Sequence, residues 1–189
     1  SRLRKQFARQ LEEKLSRDLQ PLGLENIKVN VAFSPTKPTE KGADVVQFLF
    51  SANEGQPLAP FSEIASGGEM SRFLLVLTSI FAEVTGPTTL IFDEIDSGVS
   101  GSVSSYVANL LHELSNHRQV FCVTHQPLIA AFADNHFALK KSVISGHTKS
   151  DVIDLREISD RQRELALLAG GEIVEANAYA ARLLEHKAA

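Results

Sequence analysis

The sequence predicts an α/β protein with a parallel-sheet core, entered through an amphipathic helix. Three observations carry that prediction. Between residues 66 and 133, helical apolar spacing alternates with short apolar runs, the pattern of strands joined by crossover helices. Two of those runs, "TTLIF" (88–92) and "QVFCVT" (119–124), read as strands covered on both faces. The first twenty residues contain neither glycine nor proline, and Leu3, Phe7, Leu11, Leu15 and Leu19 step by four.

Pro21 and Gly23 end the first helix. "IKVNVAF" (27–33) alternates as a half-buried strand, "SPTKPTEKGA" (34–43) reads as a turn-rich excursion, and "DVVQFLFSA" (44–52) as a second strand. "NEGQPLAPF" (53–61) is a loop. A long helix follows, marked by Met70, Phe73, Leu74, Leu77, Ile80, Phe81 and Val84 and stopped by Gly86-Pro87. The apolar run at 88–92 precedes a helix marked by Val103, Val107, Leu110, Leu111 and Leu114, and the run at 119–124 closes that crossover. A short helix covers 127–133, "HFALKK" (136–141) and "DVIDL" (151–155) form a hairpin, and helices at about 159–168 and 173–186 finish the chain.

With 189 residues and 43% hydrophobic content, the chain can bury one substantial core and at most a small appendage. No stretch approaches the roughly 20 apolar residues that cross a bilayer, and residues 1–14 lack the order of a signal peptide. The single cysteine, Cys122, allows no intramolecular disulfide and fits a reducing compartment. The expectation is a soluble, cytoplasmic protein. The net charge of -4 is uneven: residues 1–20 carry six Lys/Arg against three Asp/Glu, or +3, which leaves -7 elsewhere. Such a basic segment serves as the solvated face of a helix or lies near nucleic acid. No capping residue beyond Ser1 precedes this helix, so it is expected to continue a longer one.

The chemistry concentrates at strand ends, where ligands of parallel sheets sit. "IFDE" sets Asp93 and Glu94 directly after a strand. Asp93 suits Mg²⁺, a hard cation that keeps waters and substrate phosphates around it. Glu94 points differently and suits the orienting or deprotonating of a water. Equally, the pair suits the start of a helix, where acids meet free amides. His125 ends the adjacent strand, where a neutral imidazole can hydrogen-bond a terminal phosphate or simply occupy a loop. With no second cysteine, Cys122 and His125 do not make a structural zinc site.

"ASGGEMSR" places Ser66, Gly67, Gly68 and Glu69 before the long helix. Ser66 and Glu69 have capping-box spacing. Two glycines are not needed for that and cost a helix roughly 1 kcal/mol each. Bare amides at a helix N-terminus attract an anion, so a phosphate cap accounts for the glycines. A serine-hydrolase elbow fails, because "GVSGS" (98–102) has Ser102 where the last glycine of G-x-S-x-G belongs. The lysines around 140–150, Lys140, Lys141 and Lys149, suit a solvated hairpin or contact with DNA phosphates.

"ASGGE", "TLIFDE", "IDSG" and "VTH" in this order resemble the C-terminal lobe of an ABC-type ATPase head. They are most similar to the DNA-repair branch of the structural-maintenance-of-chromosomes (SMC) family, across nearly the whole chain. Met70 departs mildly from the leucine common at its position. The resemblance implies that residues 1–22 end a coiled-coil arm and that 23–189 form the lobe. It makes Ser66, Gly67, Gly68 and Glu69 the signature motif that binds ATP of an opposite head. Asp93 becomes the Mg ligand, Glu94 the catalytic acid, His125 the switch histidine, and Asp96 a residue that crosses the interface. Heads would pair as a homodimer sandwiching ATP, and turnover would control the holding of DNA in double-strand break repair and recombination. No G-x-x-x-x-G-K-[ST] occurs in these 189 residues. The N-terminal head lobe of the same protein is therefore the expected source of the phosphate loop, and the chain alone is expected to be inactive. A location at the nucleoid follows from the same resemblance. An ABC transporter's nucleotide-binding domain and a non-enzymatic docking module are the alternative readings. Glu69 in place of glutamine and the charged first helix speak against the first, and intact Asp93, Glu94 and His125 against the second.

Overall fold

The computed structural model describes residues 1–51, 55–60, 63, 66–82, 89–99, 101–144, 147–171 and 173–187. The chain divides into two compact units, Ser1–Val123 and Thr124–Ala189.

In the first unit, α1 (Arg2–Leu19) buries Ala8, Leu15 and Leu19 and leaves Leu3 and Phe7 exposed. It ends in a single 3-10 turn, Gln20–Leu22, after which Gly23 takes φ 75°, the left-handed cap that glycine adopts most readily. Glu12 Oε1 accepts from Val31 N at 2.6 Å and from Asn30 Nδ2 at 3.4 Å, fastening α1 to the adjoining sheet. That sheet is antiparallel in the order β1 (Lys28–Thr39), β2 (Gly42–Ser51), β3 (Ala59–Pro60).

Residues 34–43 depart from the loop expected of them. β1 runs through to Thr39, pairing Pro35 with Asp44 and Thr39 with Gly42 across a register shift. Two prolines suggested a break, but β1 is an edge strand, where a missing N–H on the outer side removes no ladder bond. The turn is held locally, with Thr39 Oγ1 donating to Gly42 O at 3.0 Å and accepting from Lys41 N at 3.2 Å. The expected loop at 53–61 likewise contains β3, paired to Leu49 and Phe50.

The next helix, α2 (Gly67–Ile80), buries Gly68, Arg72, Phe73, Leu75 and Val76, while Leu74 is exposed. The run "FLLVL" is apolar on every side, so spacing did not single out the inward stripe. Phe73 meets Phe50 of β2 edge-on, with centroids 4.8 Å apart and planes at 81°. Val84 and the stop at Gly86-Pro87 lie outside the described residues.

β4 (Leu90–Phe92), α3 (Ser102–Ser115) and β5 (Val120–Cys122) form the expected parallel crossover. Leu90 pairs with Val120, Ile91 with Phe121 and Phe92 with Cys122. α3 turns Val107, Ala108, Leu111 and Leu114 inward. The expectation that both strand faces are covered fails. Ile91 is 74% exposed, Phe121 46% and Val123 54%, while Phe92 is buried. Side chains alternate along a strand, so one face packs inward and the other presents an apolar stripe left about half or more exposed.

The second unit contains α4 (Pro127–Ala131), β6 (Phe137–Ile144), β7 (His147–Asp154), α5 (Ile158–Leu168) and α6 (Val174–Lys187). Ala130, Ala131, Leu165, Ala166, Ala176 and Ala180 form its helical core, where small side chains let backbones approach closely. β6 and β7 make the predicted antiparallel hairpin, longer than expected, and Lys149 pairs with Asp151 at 2.8 Å. Arg161 Nη2 donates to Ala131 O at 3.3 Å and Ala133 O at 2.7 Å, closing the end of α4. No described helix is long and apolar enough to cross a membrane.

His136 is buried in this unit with its Nδ1 unpartnered. Burial first, and the Arg161 charge second, hold its pKa below the ordinary 6.5. The fold therefore holds the neutral ring. Stability from this group is complete above the unfolded value and declines as pH falls below 6.5. Amide protection factors in the β6–α5 segment, which are normalised for the intrinsic slowing of exchange in acid, should fall between neutral and mildly acidic pH in the wild type but not in His136→Gln. An equal fall in both proteins would refute this.

Candidate functional site

β4 delivers Asp93 and Glu94 to its carboxyl end, where residues 94–98 turn away from the sheet. Asp93 Oδ1 accepts from Glu94 N at 2.9 Å, and Ser97 N donates to Glu94 O at 3.0 Å. Glu94 has φ 57°, the one non-glycine in the left-handed region among the described residues. Such a backbone costs an ordinary residue about 1–2 kcal/mol, so the surrounding turn over-determines it. Asp93 and Glu94 are exposed. Asp96, expected to cross to a second molecule, is only 2% exposed within its own turn. Presenting it to a partner requires that turn to open.

The N-terminus of α2 meets this turn. Ser66 Oγ accepts from Glu69 N at 3.4 Å, and Glu69 Oε2 accepts from Ser66 N at 2.7 Å, completing the predicted capping box. The glycine pair has a use beyond bare amides that the sequence argument missed. A Cβ on Gly68 would stand 2.9 Å from Ser97 Cβ and 3.0 Å from the carbonyl oxygens of Glu94 and Ser97. A Cβ on Gly67 would stand 2.9 Å from Glu94 Oε2. At Gly68, where backbone is the neighbour, only glycine lets the helix start lie this close to the acidic turn, whereas at Gly67 the exposed Glu94 side chain can swing aside. Gly68 is buried there, and Ser66 and Gly67 remain exposed.

Two further side chains fasten the same joint. Ser71 Oγ donates to Asp93 O at 2.8 Å. Arg72 Nη1 donates to Ser97 O at 2.9 Å and Ile95 O at 3.4 Å. Arg72 is 5% exposed, and burial lowers its pKa while the Glu69 charge opposes that fall. Sequence reading passed over both residues. The available signal was a charged residue heading the apolar run "RFLLVL", on the inward side of a helix.

Cys122 on β5 is no thiolate ligand: burial, then the charges of Asp96 and Asp93, push its thiol up to about 12. No group of three His, Cys, Asp or Glu placed to hold a metal ion occurs among the described residues. Asp93 offers one exposed carboxylate, with Oδ1 already accepting an amide. That donor set suits a cation completed by waters and phosphate oxygens, as Mg²⁺ commonly is, rather than an all-protein cage. Ser66, Gly67, Gly68, Glu69, Asp93, Glu94 and Asp96 are thus brought together in the first unit. His125 belongs to the second unit, where it is exposed just ahead of α4.

The family described as "AAA domain, putative AbiEii toxin, Type IV TA system" matches residues 2–131. DNA repair protein RecN of Synechocystis sp. is 43% identical over 203 residues, covering 99% of this chain and 35% of that protein. DNA repair protein RecN of Bacillus subtilis is 36% identical over 192 residues, covering 93% and 33% respectively. The chain spans about a third of the length of the curated relatives it matches. The Smc head domain with a coiled coil and joint from Pyrococcus yayanosii superposes with a TM-score of 0.60 at 21% identity, covering 88% of this chain and 30% of that one. The fold is therefore that of an SMC head lobe, and these relatives do not favour a transporter's nucleotide-binding domain.

Proposed function

The chain belongs to this AAA-domain family, and from that premise we propose that it is the signature-bearing lobe of an SMC-like ATPase acting in DNA repair. One observation carries the reading: the glycine-paired start of α2 and the Asp93–Glu94 end of β4 meet at a single edge of the first unit. An anion-attracting helix start beside a carboxylate pair suits phosphoryl transfer, in which positioning and charge do most of the work.

In the proposed arrangement two heads pair around ATP, making a homodimer. Bound Mg²⁺ would neutralise charge developing on the phosphates, held by Asp93. Glu94 orients the attacking water and accepts its proton. Ser66 and the amides of Gly67 and Gly68 hold the terminal phosphate belonging to the opposite head, so that docking completes each site. Glu69 keeps the cap formed through its bond to Ser66 N. His125 hydrogen-bonds the terminal phosphate in its own head, and Asp96 reaches the partner once its turn opens. These two roles rest on motif resemblance. The phosphate loop comes from an N-terminal head lobe in another stretch of the full-length protein, so this chain alone does not turn ATP over. The bare stripe of Ile91, Phe121 and Val123 supports such a covering lobe, since parallel strands are ordinarily buried on both faces. The full-length protein engages DNA in the cytoplasm, at the nucleoid, through ATP-controlled arms.

The test is ATP-dependent head pairing in the full-length protein, followed by sizing. Ser66→Arg fills the exposed cap with a bulky side chain and should abolish pairing while ATP affinity stays within about twofold. Pairing at the wild-type ATP dependence in this variant would remove the cap from the interface.

A further inference from the structure

We infer that Arg72 is a positioning residue that locks the signature cap to the acidic turn, so that two ATP sites report to each other through one lobe. The inference rests on the head-pairing reading above and adds to it a route of coupling. In that reading, Ser66–Gly68 serve the nucleotide of the opposite head and Asp93–Glu94 serve the nucleotide of their own. The two sets are not independent pieces of surface. Arg72 reaches from the second turn of α2 to Ser97 O and Ile95 O on either side of Asp96. Ser71 holds the carbonyl of Asp93, and Gly68 packs against Glu94 O and Ser97 with no room for a methyl group.

Both bonds leave Nη1, whose two hydrogens are fixed in the guanidinium plane, so one buried nitrogen spans two carbonyls and holds the turn in one shape. Displacement of α2 by phosphate at its cap is then carried directly into the backbone that bears Glu94. That backbone is already left-handed, and packed elements shift between discrete arrangements rather than deforming continuously. The cap of one lobe thereby sets the acid aimed at the other nucleotide, which makes turnover cooperative between heads.

The experiment uses the full-length protein with Arg72→Lys, which keeps the charge but puts a rotating ammonium where the planar Nη1 group bridges two carbonyls. Expected are ATP affinity within about twofold of wild type, turnover per folded molecule lowered about 10-fold or more, and a Hill coefficient falling toward about 1. Amide exchange at Ser97 and Val99, whose N–H groups close the turn onto Glu94 O and Asp96 O, should quicken by about 10-fold or more. Turnover, Hill coefficient and exchange all unchanged in folded Arg72→Lys would overturn the inference. So would a loss of activity that merely tracks the folded fraction. Should Arg72→Lys fail to fold, Ser71→Ala removes only the hydroxyl on Asp93 O, and the same readouts decide. If the wild-type protein shows no ATP turnover at all, the parent reading fails. The exchange arm then separately decides whether Arg72 holds the turn.

Discussion

Glu94→Gln in the full-length protein is expected to lower ATP turnover by about 100-fold or more while leaving ATP binding in place. The amide keeps the shape of the carboxylate and can still orient a water, but it cannot take the proton. Glu94 is exposed and its backbone closes the turn through its own N–H and C=O, so the substitution touches chemistry rather than packing. Glutamine tolerates φ 57° no better and no worse than glutamate, which leaves the turn as it is. Paired heads should therefore accumulate with unhydrolysed ATP. Measuring kcat, ATP affinity and dimer fraction on one preparation checks this. A kcat within about twofold of wild type would strip Glu94 of its role.

Phe50→Ala carries the largest expected effect on stability, a loss of about 3–5 kcal/mol. Phe50 is fully buried and holds Phe73 of α2 edge-to-face at 4.8 Å. Removing it deletes the ring's transfer energy and leaves a cavity beneath the helix that carries the glycine cap. Against a typical total of about 5–15 kcal/mol, that is a substantial fraction. Phe50→Leu should lose less, because most of the volume is kept. Denaturant midpoints measure both variants, and a loss under about 1 kcal/mol for alanine would show that the site collapses easily.

Much of this architecture was legible in the residues themselves. Glycine and proline at 21–23 ended α1 where expected, and the capping box at Ser66 and Glu69 formed as its spacing required. The acids of "IFDE" did fall at the end of a parallel strand. What could not be read was which side each element turns to the core. "LIF" and "VFC" are apolar on both faces, so nothing in their spacing announced that Ile91 and Phe121 stand bare. Pro35 and Pro38 argued for a loop, because an edge position, which excuses them, is a property of the sheet. The spacing of "SGGE" suggests bare amides for an anion but does not announce that Gly68 also packs against Ser97 and the carbonyl of Glu94, which belong to another element. Arg72 was passed over for the same reason, since its partners come from another element.

The left-handed backbone at Glu94 has a consequence for anyone who tries to harden this protein against heat. Glycine would sit there with less conformational protest, and a screen that rewards survival alone would drift toward it. The sturdier molecule would then have surrendered the carboxylate proposed to activate water.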